Sequence, residues 1–587
     1  MSNATAAAKA AAASESAHLK AIKHRGEFEY PIQIWYFTLS ALCLATVINV
    51  ASIAWSWYRV HLRSARPSGD APALAQRRFS ILRVPAAVLT ASRIVAFRWQ
   101  IPLGTSYTMS LFELFVTAIY MSALLIWEFV HTNNLDPAFW SNKAAHMAAV
   151  QLPLLPALSA KNNVIGFLTG VGHEKLNVLH RIVARCVLVM IWIHLWGRWR
   201  VGFTGVDDIA ANGWQQLGVA AGTTYTLMVI LSIRPIRQAS YEAFYFVHVT
   251  LAFVFVLMAY LHASEPGFGY YIYPVWVVWG FERLFRLGRY IVINFILRPK
   301  HSEASLSLVT SDSLRLTLYR RFPIGWRPGQ HVFLAFPTLS NVPVESHPFT
   351  IANIPDENLS EEQRLTFVIK GREGLTQKLL QQATEKDGIK IPVFVDGPYG
   401  APPNLAPYAT CILIAGGTGV SYTLPLLLDL VRQVRDGKAL AKKIVFIWAV
   451  RNEEYIEWIS APLAAALSSA PSSLAIDINL YVTDTRAAIA SHQAQASDSP
   501  SSPGEKSEKS QESVEVGNFL PLKGRPNVAE LLAGELSIAE GPVSVNVSGP
   551  ATLAKAVRLS LADVATATVD VLRGGPTVYF HAEHFTL

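Results

Sequence analysis

Seven stretches long and apolar enough to cross a bilayer follow one another in the first half of the chain, at about residues 33–57, 107–130, 144–160, 176–197, 215–233, 243–262 and 270–289. A hydrocarbon core of about 30 Å takes roughly 20 helical residues to cross, and inside it only a helix or a closed barrel satisfies every backbone N–H and C=O without water. The chain is therefore expected to begin as a helical bundle in lipid. Pro153 and Pro156 interrupt the third stretch, an interruption that neighbouring helices in a bundle tolerate. Composition points the same way, since hydrophobic residues make up 51% of the chain and charged residues only 16%, well under the share in soluble proteins. The net charge of +8 does not argue for nucleic acid, because the basic residues gather beside the apolar runs, where they act as topology signals.

Orientation follows from those basic residues. The loop after the first stretch carries Arg59, Arg63, Arg66, Arg77, Arg78, Arg83, Arg93 and Arg98 against the single acid Asp70, which marks it as cytosolic and places the amino terminus outside. Counting onward, Lys161–Lys175 lies inside, Arg198–Gly213 outside and Arg234–Arg237 inside, and the seventh stretch leaves into the cytosol at Arg283, Arg286 and Arg289. Residues 1–32 form an Ala-rich polar tail without the charged, apolar and cleavable order of a signal peptide. Cys43, Cys186 and Cys411 are too few for a disulfide framework and sit in apolar surroundings, as packing residues do.

After residue 290 the pattern changes to short strands, turns and amphipathic helices. Residues 300–405 are strand-rich, whereas 406–587 alternate strand and helix, so a β-barrel followed by an α/β domain is expected in the cytosol. Residues 493–516 are rich in Ser, Pro, Glu and Lys and have the composition of a disordered insertion.

Four histidines give the membrane half its chemistry. His180 and His194 lie on the fourth stretch, His248 and His262 on the sixth, and both pairs are fourteen residues apart. Fourteen residues are about 40° short of four turns and rise about 21 Å, so the two rings of a pair share one face of their helix at two depths. One stretch intervenes, which makes the two helices parallel and sets His180 level with His248 and His194 level with His262. A lone imidazole in hydrocarbon is more often a hydrogen-bonded core residue than a ligand. Two matched pairs at equal depth instead suit two haems stacked across the membrane, each with histidine on both faces. His146 has no partner at that spacing and is taken as structural. Arg181 and Arg185 suit haem propionates or snorkelling to the head groups equally.

In the cytosolic half, Gly416-Gly417-Thr418-Gly419 follows an apolar strand and opens a helix, the context in which free amides and missing side chains let a phosphate approach. A second strand, Val543 to Val547, runs into Ser548-Gly549-Pro550 and another helix. Arg451 ends the strand 444–450, where a 2'-phosphate would lie if the nucleotide is NADPH; an ordinary surface arginine has the same position. His347-Pro348-Phe349-Thr350 on its own is a proline-fixed turn at a strand end.

Taken with Arg327-Pro328-Gly329-Gln330-His331 before it, that last segment resembles the flavin-binding motif of the ferric reductase and NADPH oxidase families. The resemblance covers about residues 110–587, and Gln151-Leu152-Pro153-Leu154-Leu155 with Lys161-Asn162-Asn163 is similar to the fungal ferric reductases in particular. It implies that His347, Pro348, Phe349 and Thr350 cradle the FAD ring and ribityl chain, and that Lys370, Gly371, Gly374 and Thr376 lie near its pyrophosphate. It makes Asp396-Gly397-Pro398-Tyr399-Gly400 the linker between the two subdomains, and Ser548, Gly549 and Pro550 the nicotinamide-side motif, with serine where the family usually has cysteine. Phe585 becomes the counterpart of the family's terminal aromatic over the flavin, although the family more often ends in tryptophan.

The implied protein is a bundle of about seven spans at 33–290, followed by a ferredoxin-reductase-like module made of an FAD-binding barrel and an NADPH-binding α/β domain. Its implied activity is to pass electrons from cytosolic NADPH through FAD and two haems b to ferric or cupric ion, or their chelates, across the plasma membrane. Partners implied with it are membrane lipid and an iron permease or oxidase uptake system. A hydride brings two electrons while haem and ferric ion each take one, and a flavin is what joins the two kinds of step. Two other functions share parts of this pattern. A superoxide-producing NADPH oxidase uses the same cofactors, and a receptor or transporter also fits seven spans with an outside amino terminus, but the large nucleotide-binding tail argues against a receptor or transporter.

Overall fold

The structure is a computed structural model that describes residues 2–64, 79–103, 107–130, 132, 136–201, 213–297, 303–322, 325–340, 345–358, 361–484 and 521–583. The chain divides into two compact units. The described residues of 2–52 and 112–287 make one, and those of 53–111 and 288–583 the other.

Among its described residues the first unit is helical, with no strand. The seven expected stretches fall on helices Tyr30–Ser64, Leu111–Phe129, Pro137–Gln151 with Leu154–Ser159, His173–Val201, Gly213–Leu231, Tyr241–Ser264 and Tyr273–Ile291. Among the described residues, four helical runs are long and apolar enough to cross a membrane: Ala8–Leu62, Leu111–Phe129, His173–Val201 and Tyr241–Ser264. The third stretch is broken at Leu152 and Pro153, because proline has no N–H to donate to the preceding turn. The second begins at Leu111 rather than 107, since Tyr107–Ser110 pairs antiparallel with Gln100–Leu103 as a short hairpin. The tail is helical over Ser2–His24, in keeping with the high helix propensity of its alanines.

Inside this unit Met147, Val187, Met190, Leu176 and Tyr225 are buried together. Tyr225 donates its hydroxyl to the Ala184 carbonyl at 2.8 Å, and Tyr120 donates to the Gln151 side-chain carbonyl at 2.7 Å. Both are polar groups satisfied within an apolar core, where an unmade bond would be costly. Large apolar side chains such as Phe246, Trp196 and Phe281 point outward instead, a distribution suited to a lipid solvent.

Among its described residues the second unit contains three sheets besides the short hairpin. The strand-rich stretch forms an antiparallel four-stranded sheet in the order Gln363–Lys370, Ser313–Arg320, Glu303–Thr310, Ile389–Pro392, and a three-stranded one in the order Ser346–Thr350, His331–Ala335, Phe394–Tyr399. The two sheets share one core, in which Leu306, Leu316, Leu365, Val332, Leu334 and Val395 are buried. The third sheet has six parallel strands in the order Leu522–Lys523, Ala475–Val482, Lys443–Val450, Thr410–Gly416, Val543–Ser548, Val578–Glu583. The adjacent central strands Lys443–Val450 and Thr410–Gly416 read as near-continuous apolar runs because helices cover both faces. Residues 493–516 lie outside the described residues.

One boundary differs from the sequence reading. Residues 80–103 and 107–110, expected inside a membrane domain spanning 33–290, group with the nucleotide half. The helix Val84–Arg93 packs along Val564–Leu572, and Arg98 is buried against the same domain. The apolar run that defines the membrane half does not extend through this loop, so hydropathy could not assign it.

Candidate functional site

His180 and His194 come from the helix His173–Val201, His248 and His262 from Tyr241–Ser264, and the structure brings them together in level pairs. The ring centroids of His180 and His248 are 6.4 Å apart, and those of His194 and His262 also 6.4 Å. Each Nδ1 has a fixed partner. His180 meets the Leu155 carbonyl at 3.0 Å, His194 the Ser141 carbonyl at 2.9 Å, and His262 the Trp214 carbonyl at 2.7 Å. A carbonyl can only accept, so in these three rings Nδ1 carries the proton and Nε2 keeps its lone pair.

His248 reaches the same state by a longer route. Its Nδ1 lies 3.0 Å from the Ser232 hydroxyl, which gives its single proton to the Met228 carbonyl at 2.6 Å. The hydroxyl oxygen is therefore left to accept from Nδ1–H. All four imidazoles are held with Nε2 unprotonated, and orienting bonds of this kind are what metal-bound histidines carry.

The spacing fits an iron porphyrin. A metal–imidazole bond of about 2.0–2.1 Å plus about 1.1 Å from nitrogen to ring centre, taken on both sides, puts two axial imidazoles about 6.3 Å apart. Close approach of the helices depends on glycine. A Cβ on Gly218 would lie 2.6 Å from His262 Cε1, and one on Gly197 would lie 2.4 Å from Ser141 Cβ, beside the carbonyl that His194 uses. Trp214 stacks on the His262 ring at 5.2 Å and 20°. His146 bonds the Asn142 carbonyl at 2.7 Å and meets Phe268 edge-on, a structural placement. Among the described residues no group of three or more His, Cys, Asp or Glu side chains forms a further metal cage, and Asp207 and Asp208 lie outside them.

On the flavin side, His347, Pro348, Phe349 and Thr350 form the strand Ser346–Thr350, paired residue for residue with His331–Ala335. His347 Nε2 lies 2.7 Å from Glu345 Oε1, and Phe349 packs edge-on against Phe336. Gly374, with φ of +60°, starts the helix Leu375–Glu385, and Thr376 Oγ1 accepts from Arg372 N–H at 3.1 Å to close that turn. The turn offers helix-start amides to a diphosphate.

Lys370 is placed differently from the diphosphate role read for it. Its ammonium lies 2.6 Å from Asp312 Oδ2 and 2.7 Å from the Tyr455 hydroxyl, which itself donates to Asp312 at 2.6 Å. Partial burial alone would lower the lysine, but these bonds and the Asp312 charge hold it above its ordinary value. Asp312, whose burial alone would raise it, is held below the ordinary carboxylate value by the same bonds. The cluster braces the flavin-side sheet against the nucleotide half at Tyr455. A signal was present only as a lysine beside a glycine turn, which does not distinguish a phosphate ligand from a brace.

The nucleotide side gathers at the point where strand order reverses. Strand Thr410–Gly416 has Lys443–Val450 on one side and Val543–Ser548 on the other, and dinucleotides bind outside the carboxyl ends of strands at such a switch. Gly416, Gly417, Thr418 and Gly419 turn there, Gly417 at φ +55°, its carbonyl fixed by Trp448 Nε1 at 2.9 Å. A Cβ on Gly419 would lie 2.2 Å from the Ser548 carbonyl oxygen, and one on Gly549 would lie 2.9 Å from Gly416 N. The two motifs thus touch backbone to backbone. Ser548 Oγ and Thr423 Oγ1 are buried here without a hydrogen-bond partner, open donors beside a cradle that any side chain would fill. Pro550 caps the helix Ala551–Ser560, and Arg451 sits just past the end of strand Lys443–Val450. These features fit a dinucleotide.

Sequence patterns missed the aromatic layer beside this turn. Tyr422 stacks on His581 at 6.0 Å and 21°, and a Cβ on Gly329 would come within 2.8 Å of the Tyr422 ring. These residues are far apart in the chain and carry no motif. Phe585 lies outside the described residues.

Comparison with known proteins comes out consistently. Residues 144–259 match the ferric reductase like transmembrane component family, residues 299–403 an FAD-binding domain family, and residues 408–562 the ferric reductase NAD binding domain family. The chain is 27% identical over 355 residues to the probable cell surface ferric reductase kap2 of Aspergillus oryzae, covering 56% of this chain and 46% of that one. It is 27% identical to ferric reductase transmembrane component 3 of Saccharomyces cerevisiae, covering 71% and 58%, and 26% identical to ferric/cupric reductase transmembrane component 2 of the same yeast, covering 72% and 59%. The chain spans about half the length of the curated relatives it matches.

Proposed function

The chain belongs to the fungal ferric reductase family, and from that premise we propose that it is a transmembrane metalloreductase driven by cytosolic NADPH. The observation that supports this most is the pair of histidine levels, each with centroids 6.4 Å apart and every Nδ1 tied down. FAD would accept a hydride and release single electrons, and two haems b would carry them through a medium that excludes charge.

The chain's own residues supply geometry. His180 with His248 hold the inner haem level and His194 with His262 the outer, about 21 Å apart along the helices. The arginine-rich first loop favours a cytosolic flavin half and an outer face that meets ferric or cupric ion. Seven crossings are proposed, the third made by the pair of helices on either side of Pro153. The turn Gly416–Gly419 and Ser548–Pro550 hold the dinucleotide, with Arg451 placed to favour a 2'-phosphate, and His347–Thr350 with Gly374 and Thr376 hold the flavin. Phe585 is proposed as its cover. The plasma membrane is the proposed location, with an iron permease or oxidase as the consumer of reduced metal.

The test is reduction by purified protein in sealed vesicles, with NADPH on one side and ferric or cupric chelate on the other. Metal reduction insensitive to superoxide dismutase is expected. Reduction abolished by the dismutase would reassign the protein as a superoxide-producing oxidase, and reduction only on the NADPH side would reject transmembrane transfer.

A further inference from the structure

Within the second unit, the loop between two apolar helices is built into the far edge of the nucleotide domain. Arg98 is only 6% exposed, yet both acceptors of its guanidinium are backbone carbonyls: Nη1 donates to Leu561 O at 2.6 Å and Nη2 to Val578 O at 2.7 Å. Leu561 ends the helix Ala551–Ser560, which starts at the Ser548-Gly549-Pro550 turn, and Val578 starts the edge strand Val578–Glu583. Trp99 Nε1 donates to Ala562 O at 3.2 Å beside them. Arg83 repeats the arrangement one helix on, donating to Gly575 O at 3.1 Å just beyond the helix Val564–Leu572, and Ser80 N–H donates to Leu572 O at 2.9 Å.

Arg98 therefore caps one helix carboxyl end, where unpaired carbonyls concentrate partial negative charge, and Arg83 binds just beyond the next, with a longer 3.5 Å approach to Val571 O. Burial and the nearby Arg93 pull Arg98 down only to about 10, so it stays charged at neutral pH. The edge strand has a sheet neighbour on one side alone, and an uncovered edge is the weakest part of a sheet. That strand carries His581, which stacks on Tyr422, and Glu583, which pairs in register with Ser548.

We propose that Ser80–Leu103 is an intrachain strap that positions the strand Val578–Glu583, with Arg98 as its principal positioning residue for the nicotinamide side of the dinucleotide site. This rests on the proposed NADPH function for its catalytic consequence but not for its structural one. In sequence the strap lies between Tyr30–Ser64 and Leu111–Phe129.

The experiment uses the full-length chain carrying Arg98→Gln, with Trp99→Phe as a milder variant should the first fail to fold. Hydrogen exchange is read at Val578–Glu583 and, as internal control, at Lys443–Val450. Loss of two charge-assisted bonds should speed exchange at the edge strand about tenfold or more while the central strand is unchanged. The KM for NADPH should rise several-fold, with the haem spectrum unaltered. Trp99→Phe should do the same to a lesser degree. Equal exchange at Val578–Glu583 in wild type and variants would overturn the strap, and so would acceleration spread equally over both strands. Faster edge exchange with unchanged NADPH kinetics would overturn the positioning role. A wild-type chain that does not oxidise NADPH would reject the proposed function instead, and the exchange result would still decide the strap.

Discussion

The membrane half and the nucleotide half hold their proposed cofactors in opposite ways. In the bundle, identity is everything: four imidazoles at fixed helical intervals, each aimed by a carbonyl or hydroxyl from outside its own helix or one loop away. In the nucleotide half the contacts are mostly backbone, and the site is defined by side chains that are missing, as at Gly416, Gly417, Gly419 and Gly549. A side-chain site should fail when a ligand is deleted, and a backbone site should fail when an atom is added.

Deletion in the bundle should have the largest effect. His194→Ala removes one axial imidazole of the outer level and should lower outward metal reduction by at least about 100-fold, beyond what loss of an orienting partner costs. Reduction of a soluble dye at the flavin should persist. Outward reduction at wild-type rate would remove His194 from the relay.

Addition in the nucleotide half comes next. Gly419→Ala drives a methyl to 2.2 Å from the Ser548 carbonyl oxygen, a backbone atom that cannot swing aside. Overpacking of this kind costs about 1–3 kcal/mol, so NADPH oxidation should fall about 10- to 100-fold while haem content is unchanged. The crossed experiment sharpens the contrast. Gly218→Ala places its methyl 2.6 Å from His262 Cε1, and should disturb the low-spin haem spectrum while leaving dye reduction at the flavin intact.

Legibility followed the same divide. The histidine pairs were readable because a helix converts sequence interval directly into angle and depth, and fourteen residues return nearly to one face. Their orienting partners were not. Nothing in the letters Ser141, Leu155 or Trp214 announces a carbonyl that faces an imidazole, since every residue has one. In the nucleotide half, Gly416–Gly419 and Ser548–Pro550 were readable from strand–turn–helix context, and the structure brings them into contact at the switch point. The stack of Tyr422 on His581 was not, because it joins residues more than a hundred apart. Lys370 shows the limit most plainly: phosphate ligand and ion-pair brace use the same residue beside the same turn, and only the placement of Asp312 and Tyr455 separates them. The strap at Ser80–Leu103 escaped notice because arginines near apolar runs read as topology signals whether they face solvent or cap a helix.

Smaller effects test the supporting groups. Ser232→Ala leaves His248 in place without the hydroxyl that orients it, and should shift haem affinity or potential by about tenfold or less in equilibrium terms. Smallest of all is Asp312→Asn. Asp312 is held low, so its contribution is present above the unfolded carboxylate value and is lost as pH falls through the lower folded one. Lys370 is held high, so its contribution is present below the unfolded lysine value and is lost as pH rises through the higher folded one. The brace therefore works across the neutral range. Removing it should cost about 0.5 kcal/mol at pH 7, as befits a partly exposed pair screened by water, and the difference should vanish in acid. Denaturant titration of the variant at two pH values measures it, and a difference that grows in acid would contradict the pairing.

The most direct measurement is the haem-to-protein ratio of the purified full-length chain, read with its reduced-minus-oxidised spectrum. Two haems per chain with low-spin bands from imidazole on both faces are expected, falling to one in His194→Ala. A colourless polypeptide after haem supply, or a single haem unaffected by that substitution, would contradict four histidines holding two irons.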